Sequence, residues 1–90
     1  MDERVQVRIS GHVQGVGFRY YAAHVAKELG VLGSIRNTMD GVDVVGEGPR
    51  PKLDEFVDAL SKGPHTAEVT DVITAWSTPS GEFSDFAVVP

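Results

Sequence analysis

The chain has 90 residues, a hydrophobic content of 41%, a net charge of −5 and no cysteine. This length predicts one domain, residues 1–90, with a small core, and the hydrophobic content is typical of globular proteins. The lack of cysteine excludes disulfides, thiolate nucleophiles and cysteine metal sites. The net negative charge argues against a general nucleic-acid binder.

The charge is unevenly distributed along the chain. The first 45 residues carry five basic and five acidic side chains, whereas the last 45 carry three basic and eight acidic ones. An anionic ligand near the first half is therefore compatible with the overall charge. No apolar run is long enough to span a bilayer and the first four residues lack a signal-peptide pattern, so we expect a cytoplasmic protein without a membrane partner.

The first predicted elements are a strand and a helix. Residues 4–10 alternate, with Val5, Val7 and Ile9 on one face, which indicates a half-buried strand. Apolar residues then recur at helical spacing from Phe18 to Leu29, and Gly30 fits the position after a helix end.

The segment between them, residues 11–19, is the most informative part of the sequence, and we call it the glycine-rich segment. It holds Gly11, Gly15, Gly17 and Arg19 where a strand passes into a helix. Backbone N–H groups and the helix dipole converge on anions at such places, glycine permits close approach, and arginine binds phosphate bidentately. An ordinary glycine-rich turn with a solvated arginine is the alternative. The spacing fits neither the Walker A loop nor the dinucleotide fingerprint.

The remaining pattern predicts four strands and one more helix. The predicted elements are a strand over 32–38, a hairpin turn at 39–41, a strand over 42–47, a helix opened by Pro49–Pro51 and ended by Gly63, and strands within 67–76 and 83–89. This order, βαββαβ plus a C-terminal strand, predicts an α+β fold of the ferredoxin-like split βαβ type. Its antiparallel sheet carries both helices on one face.

Asn37, at the end of the second predicted strand, is the second candidate site residue. A turn asparagine is the simpler interpretation. In the predicted topology, however, the first two strands run parallel with the third between them, so Asn37 lies at the sheet edge that holds Arg19. An amide both donates and accepts hydrogen bonds, which suits the orientation of a water molecule.

Two motifs resemble those of the acylphosphatases. Val13–Arg19 is similar to the signature loop of that family and Gly33–Gly41 to its second motif, and the resemblance extends over nearly the whole chain. It implies an enzyme that hydrolyses acyl phosphates to a carboxylate and phosphate. Arg19 would bind the phosphoryl group with the loop amides, and Asn37 would hold the attacking water. The implied phosphate-binding residues are Gln14, Gly15, Val16, Gly17, Phe18 and Arg19.

We expect no cofactor and no metal, because the chain has no cysteine and no histidines at metal-ligand spacing. The expected partner is a small acyl phosphate, and a monomer is the default for a chain with no evident exposed apolar stripe. Two departures stand out: Ser34 replaces the aromatic residue usual after the glycine of the second motif, and Pro90 ends the chain where a tyrosine or basic residue is common. The first concerns packing near the site. The second leaves the pairing of the last strand open.

Other residues and other functions compete with this interpretation. His12 as a general base competes with an exposed histidine at a strand end, Tyr20 and Tyr21 as pocket residues compete with packing, and Thr38 is a possible neighbour of the site. An RNA-recognition domain would need exposed aromatic residues on its central strands and a basic face, and a soft-metal chaperone would need a Cys-x-x-Cys motif. The first strand has no aromatic residue, the net charge is negative, and cysteine is absent. A small-ligand regulatory domain remains the alternative to an enzyme.

Overall fold

Five strands form one sheet in the computed structural model, which describes residues 2–90. The elements are β1 Asp2–His12, α1 Phe18–Leu29, β2 Leu32–Asn37, β3 Gly41–Pro49, α2 Arg50–Lys62, β4 Glu68–Ser77 and β5 Phe86–Val88. The strand order across the sheet is β4-β1-β3-β2-β5. Every predicted element is present, and the largest difference is β1, which extends two residues beyond the predicted 4–10 at each end because it pairs with a neighbour on both sides.

The pairing confirms the predicted ferredoxin-like topology. β3 lies between β1 and β2 and is antiparallel to both, so β1 and β2 are parallel and their carboxyl ends lie at the same end of the sheet. β4 pairs antiparallel with β1. The pairing of the last strand, which the sequence left open, is parallel to β2, with Phe86 opposite Gly33. The sheet is therefore mixed: β2 and β5 are parallel at the edge that β5 forms, and the other neighbouring strands are antiparallel.

Both helices cover one face of the sheet, as predicted. Val5, Val7 and Ile9 of β1 are fully buried on this face. They belong to one core with apolar residues of both helices, including Phe18, Ala22 and Ala26 of α1 and Leu53, Phe56 and Leu60 of α2. The alternating apolar side chains of β1 and the apolar faces of the two helices therefore pack together in one core layer.

The helix boundaries follow the predicted signals. α1 ends at Leu29, and the next residue, Gly30, has φ 73° and a backbone N–H that bonds the carbonyl of Lys27. α2 begins with Arg50 and Pro51 directly after β3, because a proline is tolerated in the first turn, where its missing N–H has no partner. Gly63 ends α2, and its N–H bonds the carbonyl of Ala59 at 2.9 Å.

The opposite face of the sheet is closed at one end by the segment between β4 and β5. The carboxylate of Glu47 accepts hydrogen bonds from the backbone N–H groups of Ser80 and Gly81, at 2.8 and 3.1 Å, and from Arg4 Nη1 at 2.8 Å. Arg4 pairs with Glu47 in the register of β1 and β3, whereas the glycine-rich segment follows the other end of β1. Glu47 and its hydrogen-bond donors therefore lie at the end of the sheet remote from the glycine-rich segment.

The Glu47 carboxylate has a pKa far from its ordinary value. Burial disfavours the charged form and by itself would raise the pKa. The hydrogen bonds from Ser80, Gly81 and Arg4 outweigh that effect and lower the pKa from 4.5 to about 2. Glu47 is therefore ionised in the folded protein at neutral pH and holds the segment after β4 against the sheet.

No helix within residues 2–90 has the length and apolar character needed to cross a membrane.

Candidate active site

The glycine-rich segment passes from β1 into α1 around a small cavity. The cavity has a volume of about 220 Å³ and is lined by Val13, Gly15, Gly17, Phe18, Arg19 and Tyr20. Val13 and Phe18, within the segment, are almost fully buried, at 1% exposure each, and belong to the core. The four residues between them are exposed or partly buried, so this part of the segment faces solvent between two buried side chains.

Two glycines give the segment its left-handed path. Gly15 has φ 72° and Gly17 has φ 81°, values that a side chain makes unfavourable. A Cβ atom at either position would meet no other atom within 4 Å, so the requirement is conformational rather than steric. These glycines let the chain reverse and start α1 within a few residues.

The start of α1 leaves its backbone N–H groups free of helical partners. The first intrahelical bond runs from Tyr21 N–H to the carbonyl of Gly17, at 3.0 Å, and no side chain in the described part of the chain caps this end. The amides of Phe18, Arg19 and Tyr20 therefore have no acceptor within the helix. Together with the helix dipole they create positive potential at the cavity.

Arg19 adds a formal charge to this region. It is partly buried on the first turn of α1 and lines the cavity. Three other arginines have an acidic partner: Arg4 contacts Glu47, Arg36 contacts Asp43 and Arg50 contacts Asp54. Within residues 2–90, Arg19 has no such salt bridge. Its guanidinium is consequently available to an anionic ligand.

Gln14 ties the glycine-rich segment to the turn between β2 and β3. Its side-chain amide donates to the carbonyl of Thr38 and, at 2.8 Å, to the carbonyl of Gly41. The N–H of Gly11 also reaches the carbonyl of Asp40, at 3.4 Å. Asn37 is the last residue of β2, directly before this turn, and is exposed. These hydrogen bonds hold the two predicted motifs side by side. Among the described residues that line the cavity, Asn37 is not included.

A second contact with the segment was not predicted from the sequence. Thr66 Oγ1, on the turn between α2 and β4, donates to the carbonyl of Val16 at 2.7 Å. The two residues are 50 positions apart, and nothing in the local sequence around Thr66 indicates the contact. Only the packing of the α2–β4 turn against the start of α1 brings them together.

The other candidate residues lie around this region. His12 is exposed at the end of β1, in keeping with the simpler interpretation, and His24 is exposed and contacts Glu28 at 3.0 Å. Tyr20 lines the cavity with 72% of its surface exposed, whereas the hydroxyl of Tyr21 donates to the carbonyl of Ala59, at 3.0 Å. Within residues 2–90, no three His, Asp or Glu side chains are grouped to hold a metal ion.

The fold is that of a ferredoxin-like α+β domain, and its candidate site is the glycine-rich segment between the first strand and the first helix. Comparison with known proteins gives the family. The acylphosphatase family model matches residues 5–88. The chain is 42% identical over 88 residues to the acylphosphatase of Salinibacter ruber, covering 97% of this chain and 93% of that one.

A second relative and a solved structure agree with this match. The acylphosphatase of Thermotoga maritima is 44% identical over 85 residues, which cover 93% of each chain. The crystal structure of the acylphosphatase from Bacillus subtilis superposes with a TM-score of 0.90 at 33% identity, over 100% of both chains. The chain therefore belongs to the acylphosphatase family, whose members are hydrolases acting on acyl phosphates.

Proposed function

We propose that this protein hydrolyses small acyl phosphates by direct attack of water on phosphorus. The observation that carries the proposal is the arrangement at the start of α1. There Arg19, which has no salt bridge within residues 2–90, stands beside backbone amides that have no acceptor in the helix. The proposed phosphate-binding residues are Gln14, Gly15, Val16, Gly17, Phe18 and Arg19, the first five through their backbone N–H groups.

The proposed role of Arg19 is to bind the phosphoryl oxygens and to stabilise their charge in the transition state. Phosphoryl transfer passes through a loose transition state, so positioning and electrostatic stabilisation supply most of the catalysis. The guanidinium of an arginine donates hydrogen bonds to two phosphoryl oxygens at once, which the ammonium group of a lysine does not do with the same geometry. The backbone amides of the segment donate further hydrogen bonds. The partly buried position of Arg19 strengthens this interaction relative to an exposed one.

The proposed role of Asn37 is to orient the attacking water. Its amide accepts one hydrogen bond from the water and donates another to it, which directs a lone pair toward phosphorus. The hydrogen bonds of Gln14 to the Thr38 and Gly41 carbonyls support this role, because they hold the end of β2 beside the glycine-rich segment. Correct placement of a nucleophile is a large part of such a rate enhancement.

The bond changes in the proposed step balance without a general acid or a cofactor. The water oxygen forms a bond to phosphorus while the bond between phosphorus and the acyl oxygen breaks, and the electron pair leaves with the carboxylate. A carboxylate is a weak base and needs no protonation to leave. A phosphoryl oxygen of the substrate takes the proton of the water, so the products are the carboxylate and inorganic phosphate.

We further propose that the enzyme acts as a cytoplasmic monomer on its small substrate, with no nucleic acid, membrane, cofactor or metal taking part. The positive charge that a metal would supply to the phosphoryl group comes here from Arg19 and the amides of the glycine-rich segment. The lack of cysteine in the chain suits a reducing compartment.

The test is hydrolysis of acetyl phosphate in ¹⁸O-labelled water, with and without EDTA. We expect turnover that EDTA leaves unchanged and a single label in the phosphate, detected by mass spectrometry. Label in the acetate would mean attack at carbon and would refute the mechanism, and loss of activity with EDTA would refute metal independence. An absence of turnover combined with tight phosphate binding would instead favour the small-ligand regulatory domain.

A further inference from the structure

Thr66 contacts the glycine-rich segment from a distant part of the chain. Its hydroxyl donates to the carbonyl of Val16 at 2.7 Å. The turn that holds Thr66 is closed by a hydrogen bond from Ala67 N–H to the carbonyl of Pro64, at 3.0 Å. Ala67 also packs against the core. The hydroxyl is therefore held in place by its own backbone, although Thr66 itself is exposed.

The bond to Thr66 fixes the orientation of one peptide unit. The Val16–Gly17 peptide is trans, so the carbonyl of Val16 and the N–H of Gly17 point in opposite directions. The carbonyl is directed to Thr66. Gly17 lines the cavity whereas Val16 does not, which agrees with a carbonyl that faces away from the cavity.

A glycine follows this peptide unit, which makes its reversal easier. A peptide flip changes φ of the following residue by about 180°, and glycine populates positive and negative φ about equally. Gly17, at φ 81°, therefore presents little barrier of its own to the flipped form. After a flip the carbonyl of Val16 would point into the cavity, where its partial negative charge repels an anion.

We propose that Thr66 is a positioning residue for phosphate binding: its hydroxyl holds the Val16–Gly17 peptide with the carbonyl outward and the Gly17 N–H toward the phosphoryl group. This inference rests on the proposed function, because it assigns to Gly17 a hydrogen bond with the substrate. It adds to that function a residue outside both motifs, contributed by the turn between α2 and β4.

The experiment compares Thr66→Val with Thr66→Ser. Valine keeps the branched shape and loses the hydroxyl, and serine keeps the hydroxyl and loses a methyl group. Thr78→Val is the matched control, because Thr78 is exposed after β4, at the end of the sheet remote from the site. For each variant we would measure acetyl phosphate kinetics, the Kd of inorganic phosphate, and the urea midpoint of unfolding.

We expect Thr66→Val to raise KM and the phosphate Kd by about three- to tenfold, the range of one lost hydrogen bond. Because Asn37 and the leaving group are untouched, kcat should change less than twofold, in contrast to a variant that disturbs the chemistry. Thr66→Ser should restore the wild-type values to within about twofold, and the control should match the wild type.

A spectroscopic signature separates positioning from a purely structural role. In an amide ¹H–¹⁵N spectrum, the Gly17 signal should shift downfield when phosphate is added to the wild type or to Thr66→Ser. It should shift much less in Thr66→Val. Equal shifts in all variants, equal Kd values, or a Kd change that Thr66→Ser fails to reverse would overturn the inference.

Failure of the proposed function would look different. A wild-type protein that neither hydrolyses acetyl phosphate nor binds phosphate refutes the function together with the inference. A wild type that does both, alongside an unaffected Thr66→Val, refutes the role of Thr66 alone.

Discussion

Arg4 and Arg19 lie at opposite ends of the sheet and have opposite surroundings. Arg4 contacts the buried carboxylate of Glu47 at 2.8 Å, approaches Glu82 at 3.5 Å and lies over the ring of Phe83. Arg19 has no salt bridge within residues 2–90 and lines a cavity. At the first end the charges are neutralised within the protein, and at the second end a positive charge is left available.

The difference shows that an arginine can contribute either to folding or to ligand binding, depending on whether a carboxylate lies beside it. A buried carboxylate with several donors strengthens folding, because its hydrogen bonds exist only in the native state. An arginine without a partner adds little to folding, but it retains its full attraction for a ligand anion. We therefore expect substitutions at the Glu47 end to change stability and substitutions at the Arg19 end to change activity.

Arg8 resembles Arg19 in its side-chain surroundings within residues 2–90 but differs in the backbone beside it. It also forms no salt bridge within residues 2–90 and lines a cavity of about 220 Å³ on the open face of the sheet with Gln6, Ile73 and Ala75. Its strand, β1, is paired on both sides, so the backbone amides there are engaged in the sheet. Arg8 is consequently the matched control for Arg19.

The largest effect is expected for Arg19→Ala. Loss of a bidentate, partly desolvated contact should cost about 3–5 kcal/mol of transition-state stabilisation, measured as kcat/KM for acetyl phosphate. Arg19→Lys should recover only a small part, because a point charge lacks the fork. Stability in urea should be unchanged, and Arg8→Ala should retain wild-type activity. Near-normal kcat/KM in a folded Arg19→Ala would contradict the assignment of the anion site.

The next effect is expected for Asn37→Ala. The variant should lower kcat on the order of 100-fold, because a misplaced nucleophile costs about this much. The Kd of inorganic phosphate should stay within about twofold of the wild type, since Asn37 is proposed to orient water rather than the phosphoryl group. Steady-state kinetics beside a phosphate titration measure the two quantities. Parallel losses in both would make Asn37 a ligand contact or a structural turn residue.

At the other end of the sheet, Glu47→Gln should reduce stability without reducing activity. The lowering of the Glu47 pKa from 4.5 to about 2 corresponds to about 3 kcal/mol of folding free energy at neutral pH. We expect urea unfolding at pH 7 to show a loss of about 2–3 kcal/mol, with kcat/KM unchanged. Glu82→Gln, at a carboxylate whose side chain is 61% exposed, is the control and should change stability much less.

The same substitution should alter the pH dependence of stability. Because the folded-state pKa of Glu47 is depressed, its contribution is complete above about pH 4.5 and is lost as the pH falls toward 2. The difference in unfolding free energy between the wild type and Glu47→Gln should therefore shrink over this range. A difference that stays constant from pH 7 to pH 2.5 would show that the carboxylate charge is not what stabilises this end.

Much of the fold was predictable because local patterns and tertiary contacts agree. The alternation of Val5, Val7 and Ile9 and the stripe from Phe18 to Leu29 point to the same core that the structure contains. The parallel pairing of β5 with β2 was not predictable, because strand direction depends on where the chain crosses after β4. The anchor of that crossing, Glu47, looks like any acidic strand residue in the sequence.

The candidate site was predictable only in part. Gly15, Gly17, Arg19 and Asn37 carry local signals, namely a glycine pattern, a helix start and a strand end. The side-chain contacts of Gln14 with Thr38 and Gly41, and of Thr66 with Val16, join segments 24 to 50 positions apart. Contacts at such separations follow from tertiary packing alone, and no local pattern marks them.

The smallest effect is expected for Tyr21→Phe. This variant tests whether a residue close to Arg19 in the sequence contributes to stability without contributing to activity. Tyr21 lies two residues after Arg19, but its hydroxyl donates to Ala59 of α2 at 3.0 Å and its ring lies 6.1 Å from that of Phe18. Loss of the hydroxyl should reduce the unfolding free energy by about 1 kcal/mol and leave kcat/KM unchanged. Tyr20→Phe, at an exposed residue on the cavity, should leave stability unchanged. A Tyr21→Phe variant with normal stability and reduced kcat/KM would show that the site extends between the helices.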